Sequence, residues 1–74
     1  MLIDTMSQEH RKILAKNVEK FRKAKNMTKE ALSLALNFDN SYIPKLEKGN
    51  VNITIDRIST IAKFFDVEIS ELFK

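Results

Sequence analysis

Cysteine and tryptophan are absent from the sequence, and glycine and proline occur once each among 74 residues. Without cysteine, neither a disulfide nor a thiolate metal site can stabilise the fold. The single histidine leaves too few ligands for a structural zinc site. We therefore expect no metal. A chain of this length leaves no room for a separate ligand domain, so we also expect no cofactor and no small-molecule ligand. The absence of cysteine is also in keeping with the cytoplasm.

Long apolar runs are missing as well. No stretch approaches the roughly 20 consecutive apolar residues that a membrane-spanning helix needs. The opening residues, MLIDTMSQEHRK, lack the long apolar centre and the small-residue cleavage site of a secretory signal peptide. These absences predict a soluble cytoplasmic protein with no membrane partner.

The residues that are abundant, among them lysine, leucine, isoleucine, alanine and glutamate, favour helices. A chain of 74 residues corresponds to one domain with a small hydrophobic core. We assign that domain to residues 7–74. Residues 1–6 show no periodicity, and they form either a disordered arm or a segment that packs back on the domain through Leu2 and Ile3.

The net charge of +3 is distributed unevenly along the chain. Residues 1–37 carry a charge of +4, residues 38–52 are neutral, and residues 53–74 carry −1. This polarity suits a domain that turns one face toward an anion and another toward a neutral partner. The alternative explanation is an ordinary lysine-rich solvated surface.

The first predicted helix begins after Ser7, a favourable N-cap residue, and runs to about Lys25. Leu14, Val18 and Phe21 recur at i, i+4 and i+7 and define its buried side. A basic flank follows a spacing of three or four residues and comprises Lys12, Lys16, Lys20 and Lys23.

The segment from Thr28 to Gly49 predicts two short helices joined by a tight turn. Thr28 caps the first of them, and Leu32 and Leu36 share its buried side. Asn37 stands where this helix ends, and asparagine tolerates the left-handed conformation that such a turn needs. Two helices this short bury little surface alone, so the remaining chain has to hold them in place.

The start of the third helix depends on Pro44. If Asp39 caps the helix, the proline falls in the second turn, where it costs roughly 3 kcal/mol. If Ser41 caps it, Pro44 is the third helical residue and no intrahelical donor is lost. The sequence favours this late start over a distorted first turn, with Ile43 and Leu46 on the buried side.

The C-terminal part predicts two further helices. Thr54 caps the fourth helix and Asp66 ends it, while a short fifth helix covers Ile69 to Phe73. The apolar stripe predicted for the fourth helix consists of Ile55, Ile58, Ile61, Ala62 and Phe65.

The arrangement resembles the Cro/lambda-repressor-type helix-turn-helix family, also called the xenobiotic-response-element type. The resemblance covers about residues 14–73. The matching residues are Phe21-Arg22, Met27-Thr28, Leu32, Leu36, Asn37-Phe38, Ile43, Leu46-Glu47-Lys48-Gly49, Ile58, Ala62 and residues 66–72. Within the family, Tyr42-Ile43 and Asn52-Ile53-Thr54-Ile55 look most like the small controller proteins of restriction-modification systems.

The resemblance implies an all-α, compact five-helix lambda-repressor-like domain, with the helix-turn-helix at the second and third helices. It also implies a sequence-specific transcription regulator that binds double-stranded DNA, either as a repressor or as an activator. Such a regulator acts as a homodimer on a palindromic operator and reads the major groove with its third helix.

Several residues depart from the family pattern. The family usually has glutamine where Lys29 stands, alanine at Ser33, glycine at Asn37, a polar residue at Pro44 and often proline at Ile53. Lysine keeps a phosphate contact but loses the two-way hydrogen bonding of an amide. Ser33 in a tight contact needs a partner for its hydroxyl, and a carbonyl one turn back is the natural acceptor. Pro44 puts the shape of the reading helix in doubt.

The resemblance assigns three kinds of site residue. Base reading falls to Asn40, Ser41 and Lys45, and DNA backbone contacts fall to Thr28, Lys29, Tyr42, Lys48, Asn50 and Asn52. Arg22 and Glu47 are expected to form a partly buried ion pair that holds the first helix to the third. The alternative for Arg22 is a place on the basic face.

A domain that reads a few base pairs gains affinity as a two-fold dimer on half-sites about one helical turn apart. The C-terminal apolar residues exceed what a small monomer core needs, and their surroundings are neutral to acidic. The candidates for the dimer interface are Phe64, Ile69, Leu72 and Phe73.

A second function remains open from the sequence, which is a helical protein-interaction module that uses the same fold without touching DNA. Lysine placement around the second and third helices favours DNA binding, whereas Pro44 favours the module. We do not expect an enzyme, because the sequence offers no paired carboxylates in a plausible cleft, no histidine-based constellation and no glycine-rich phosphate loop.

Overall fold

The computed structural model describes residues 6–74. Leu2 and Ile3, and with them the choice between a disordered arm and a packed segment, lie outside the described residues. Within them the chain forms four α-helices and then a 3-10 helix. Their bounds are Gln8–Ala24 for α1, Lys29–Ala35 for α2, Tyr42–Glu47 for α3, Ile55–Phe65 for α4 and Ile69–Phe73 for the 3-10 helix. The predicted all-α class is confirmed, with the fifth helix realised in the tighter 3-10 form.

Three helices begin at the N-caps that the sequence predicts. Each cap residue is extended, and its hydroxyl accepts a hydrogen bond from the backbone N–H three residues on. The pairs are Ser7 with His10 at 3.1 Å, Thr28 with Ala31 at 3.0 Å, and Thr54 with Arg57 at 3.3 Å. These bonds satisfy donors that the first helical turn would leave without a partner.

The third helix starts differently. Its first residue is Tyr42, as expected for the late start, and Pro44 is therefore the third helical residue. The first intrahelical bond runs from the N–H of Lys45 to the carbonyl of Ser41 at 3.1 Å, so proline removes no donor from the helix. The Ser41 hydroxyl does not cap the helix but donates to the Asp39 carboxylate at 3.1 Å.

Each of the four α-helices is followed, within two residues, by a residue with positive φ. These residues are Asn26 at 57°, Asn37 at 62°, Gly49 at 77° and Asp66 at 58°. In α2 the N–H of Asn37 donates to Leu34 at 2.9 Å and the N–H of Phe38 to Ser33 at 2.8 Å. This two-bond pattern is the Schellman motif. Asparagine and aspartate serve at three of the ends because they tolerate the left-handed region better than other side chains do.

The hydrophobic core lies where the helices meet. α1 packs against α3 and the 3-10 helix, α2 packs against α3, and α4 packs against the 3-10 helix. Leu14, Leu32, Ile43, Ile61 and Leu72 are among the side chains that are fully buried. The first two helices therefore hold α3 in place.

Two residues of the predicted apolar pattern lie elsewhere than expected. Ile55 was assigned to the buried stripe of α4 but is 66% exposed, because the first turn of the helix extends past the edge of the core. Phe21 is only half-buried, and its ring lies 5.5 Å from that of Phe65.

Asn17 anchors the end of the chain to α1. Its side-chain amide donates to the carbonyl of Leu72 at 2.8 Å and to the main-chain oxygen of Lys74 at 3.3 Å. The residue is 9% exposed, so these bonds replace hydration that the amide loses on burial. Among residues 6–74, no helix combines the length and the hydrophobicity that crossing a bilayer requires.

Candidate nucleic-acid interface

Ser33 joins α2 to α3. Its hydroxyl donates to the carbonyl of Lys29 one turn back, at 3.1 Å, which is the predicted partner. The same oxygen accepts a hydrogen bond from the N–H of Ile43 at 3.2 Å, which the sequence did not indicate. Ser33 is fully buried, so both bonds form away from water. A first-turn donor of α3 is thereby satisfied by α2, and this bond fixes the start of α3 against α2.

Arg22 and Glu47 form the ion pair that the family resemblance implies. Nε and Nη2 of the arginine donate to the two carboxylate oxygens at 2.7 and 3.0 Å, and Nη1 donates to the carbonyl of Met27 at 2.7 Å. The side chains are 8% and 4% exposed. The hydrogen bonds to Glu47 raise the pKa of Arg22 above its ordinary value, against the opposing effect of burial. This pair ties the end of α3 to α1.

The side chains in and just before α3 differ in their exposure to solvent. Ile43 and Leu46 are buried in the core, whereas Asn40 and Lys45 are exposed. Ser41 is half-buried, and its hydroxyl is occupied by Asp39. Two of the three predicted base-reading residues therefore present unobstructed polar groups, and the third presents a hydroxyl that already has an acceptor.

The candidates at the start of α2 have local roles as well. The Thr28 hydroxyl accepts the capping bond from Ala31, and its hydrogen is available to donate. Lys29, in the first helical turn, is half-buried, and its carbonyl accepts the Ser33 hydrogen bond. A lysine here lies beside the partial positive charge of the helix N-terminus, and both attract an anion.

The remaining backbone candidates lie around α3 and the loop after it. Tyr42 is half-buried, while Lys48 and Asn50 are exposed. The side-chain oxygen of Asn52 accepts a hydrogen bond from the N–H of Met6 at 2.8 Å. Its amide NH₂ is therefore the part of Asn52 that is suited to a phosphate oxygen.

Arg57 lies at this end of the molecule although the sequence did not single it out. Its guanidinium carbon is 4.6 Å from the centre of the Phe38 ring and 4.6 Å from that of Tyr42. The two rings meet edge to face at 4.9 Å. Because Thr54 caps α4, the sequence places Arg57 in the first turn of that helix. The contact of the Arg57 side chain with Tyr42 of α3 depends on tertiary packing.

The predicted dimer residues do not form one surface. Leu72 is wrongly assigned, because it is fully buried in the core of its own chain. Phe64 lies near the end of α1, with the Lys25 ammonium 5.6 Å from its ring centre, whereas Phe73 lies near the start of α1, with its ring 6.4 Å from that of His10. The stretch of α1 between them spans about 20 Å.

Apolar surface continues from Phe73 to the first turn of α4. Phe73 lines a groove with Met6, His10 and Ile58, and Ile58 also lines a second groove with Ile53 and Ile55. Ile69, the other dimer candidate, is 37% exposed.

The sequence pattern of the family described as Helix-turn-helix, HTH_3, matches residues 18–72, which is well over half of the chain. The protein therefore belongs to this helix-turn-helix family, and the predicted resemblance is confirmed. The helix-turn-helix that defines this family is one of the established DNA-binding motifs of transcription regulators. Among curated proteins, none matches the chain significantly.

Several solved structures share the fold. A hypothetical transcription factor, NHTF, from Neisseria aligns with a TM-score of 0.84 at 24% identity, over 100% of this chain and 86% of its own. The restriction-modification controller protein C.AhdI from Aeromonas hydrophila aligns with a TM-score of 0.78 at 28% identity, over 85% of this chain and 96% of its own. A mutant of the controller protein C.Esp1396I gives a TM-score of 0.73 at 29% identity, over 85% of this chain and 88% of its own.

Proposed function

We propose that the protein is a sequence-specific regulator that inserts α3 into the major groove of double-stranded DNA. The observation that carries this proposal is the placement of α3. Its apolar side is buried, Ser33 and Glu47 hold its two ends, and Asn40 and Lys45 face solvent. A rigid helix with short polar residues near its N-terminus is what direct readout of base edges requires.

The chemistry of the exposed residues suggests how bases are read. Asparagine pairs with adenine through its amide, and lysine donates to the guanine acceptors O6 and N7. We assign these contacts to Asn40 and Lys45, with Ser41 as an adaptable third contact. Because Ser41 already donates to Asp39, its oxygen is free to accept from a base amine.

Contacts to backbone phosphates are assigned to one residue of α3 and to residues on either side of this helix. These are Thr28 and Lys29 at the start of α2, Tyr42 in α3, and Lys48, Asn50 and Asn52 beyond it. Contacts of this kind fix the register of the protein on the duplex and leave the choice of sequence to the base-reading residues.

We propose further that two copies bind a palindromic operator. A single α3 covers a few base pairs, and two-fold pairing doubles the number of bases read. The apolar surface of Met6, Ile55, Ile58 and Phe73 offers a second copy a place to dock, and residues 53–74 carry a charge of only −1. The likeness to two restriction-modification controller proteins supports control of such genes as the regulatory role.

Selection of bound duplexes from a random DNA pool, followed by fluorescence anisotropy at several salt concentrations, tests the proposal. We expect an enriched palindrome and an affinity that falls steeply as salt rises. Lys45→Gln and Asn40→Ala should each weaken binding to the selected site, by about 1–3 kcal/mol for a base contact. Lys63→Gln, on the far end of α4, is the matched control.

Absent or salt-insensitive binding by the folded wild-type chain would contradict DNA binding and would favour a protein-interaction module. A selected sequence without two-fold symmetry would contradict the palindromic operator alone. If Lys45→Gln bound as tightly as wild type at every position of the selected site, the assignment of base reading to that residue would be wrong.

A further inference from the structure

The side chain of Arg57 is held by two aromatic rings from the helix-turn-helix. Phe38 belongs to the turn between α2 and α3, and Tyr42 is the first residue of α3. Both rings are half-buried against the core, and the guanidinium carbon lies 4.6 Å from each ring centre. Cation–π contact with two rings restricts an otherwise flexible side chain.

The charged edge of the same guanidinium faces no partner in the described part of the chain. The ion pairs among residues 6–74 use Arg22, Lys23 and Lys74, and none of them includes Arg57. Arg57 itself is exposed. A guanidinium that lies against two rings and forms no ion pair within residues 6–74 is suited to bind an external anion through its planar fork.

We infer that Arg57 binds a phosphate of the DNA backbone next to the bases that α3 reads. The inference rests on the proposed DNA binding and adds a contact from α4 to it. A phosphate is favoured over a base because the guanidinium lies against Tyr42, which is assigned to the DNA backbone, whereas base reading is assigned to Asn40 and Lys45. Contact with the two rings restricts the side chain before DNA binds, so less side-chain entropy is lost on binding.

Two substitutions separate this contact from a packing role. Arg57→Gln removes the charge and retains a polar side chain, whereas Arg57→Lys retains the charge and loses the planar fork. We expect Arg57→Gln to weaken binding about tenfold per bound chain, because the variant loses charge-assisted hydrogen bonds to a phosphate, which are stronger than neutral ones. The loss should be equal on the selected duplex and on random duplexes, because phosphates carry no sequence information.

The salt dependence is the decisive readout. For Arg57→Gln, the slope of log K against log salt should fall by about one per bound chain, and for Arg57→Lys it should stay near that of wild type. Lys63→Gln keeps the same helix and the same change of charge at the other end of α4, so it should leave the slope unchanged. Urea unfolding of each variant reports any loss of stability separately.

Each outcome decides the matter. Weaker binding with an unchanged slope and a lower unfolding midpoint would make Arg57 a packing residue and overturn the inference. A loss confined to the selected duplex would assign it to a base and overturn it too. Unchanged binding by Arg57→Gln, with wild type still bound, overturns the phosphate contact and leaves the proposed function standing. Failure of the wild-type chain to bind any duplex overturns both.

Discussion

Glu47, at the end of α3, accepts two hydrogen bonds from Arg22 of α1 across 25 positions of sequence, at 2.7 and 3.0 Å. Both side chains are more than nine-tenths buried. Removing one partner leaves the other charged and poorly solvated. We expect Glu47→Ala to lower the free energy of unfolding by about 3 kcal/mol, measured by urea denaturation.

The exposed pair of Glu19 and Lys23 provides the control for this experiment. Its atoms are 3.2 Å apart, and the hydrogen bond from Lys23 lowers the pKa of Glu19, but both side chains are well exposed. Lys23→Ala should therefore change stability little. If the two substitutions had equal effects, burial of the Arg22–Glu47 pair would not be what makes it important.

Asn17 gives a second prediction. Its amide satisfies the carbonyl of Leu72, which belongs to a wholly buried residue. In Asn17→Ala that carbonyl loses its donor, at a cost of about 1–3 kcal/mol. We expect the variant to have a lower thermal midpoint than wild type. Its hydrogen exchange should become faster than in wild type, and the increase should be larger in the 3-10 helix than in α2. Asn50→Ala, at an exposed site, is the matched control, and an equal drop there would count against the anchoring role.

Two features of Asp66 are unfavourable for stability. Its φ is 58°, in the left-handed region, and its carboxylate lies at the negative end of the α4 dipole. Asp66→Gly relieves both effects and should stabilise the fold by about 1 kcal/mol. Asp66→Ala also removes the charge, but alanine tolerates a positive φ less well than aspartate does, so this variant should be less stable than wild type. Urea midpoints in the order glycine, wild type, alanine would match this expectation.

A charge control exists in the same helix. Asp56 lies in the first turn of α4, where a carboxylate interacts favourably with the positive end of the helix dipole. Asp56→Asn should therefore lower stability, whereas Asp66→Asn should raise it. Shifts of the same sign at both positions would rule out the dipole as the cause.

Local chemistry explains what the sequence could predict. Ser7, Thr28 and Thr54 cap their helices through atoms three residues away, and no distant part of the chain is needed to form those bonds. The late start of α3 followed from the missing N–H of Pro44, which is equally local. Asn37 adopts the expected left-handed conformation for the same reason.

Tertiary packing explains the rest. Periodicity marked Ile55 as apolar but could not show where the core ends, and it marked Leu72 without showing that the core of the same chain covers it. The bond between Ser33 and Ile43 joins two helices, and the position of Arg57 depends on three elements. Contacts of this kind leave no repeating pattern in the sequence.

The proposed dimer surface can be tested with two substitutions to lysine, one at Ile55 and one at Leu34, which are equally exposed. Ile55 lines the apolar groove beside Ile58 and is 66% exposed, and Leu34 of α2 is 67% exposed outside that groove. Ile55→Lys removes apolar area from the interface, so the dimer dissociation constant should rise by roughly thirtyfold, for about 2 kcal/mol of lost burial. Leu34→Lys should leave association unchanged. Sedimentation equilibrium measures both. Dissociation by Leu34→Lys alone would move the interface to α2, and a wild-type chain that stays monomeric at high concentration would exclude the homodimer.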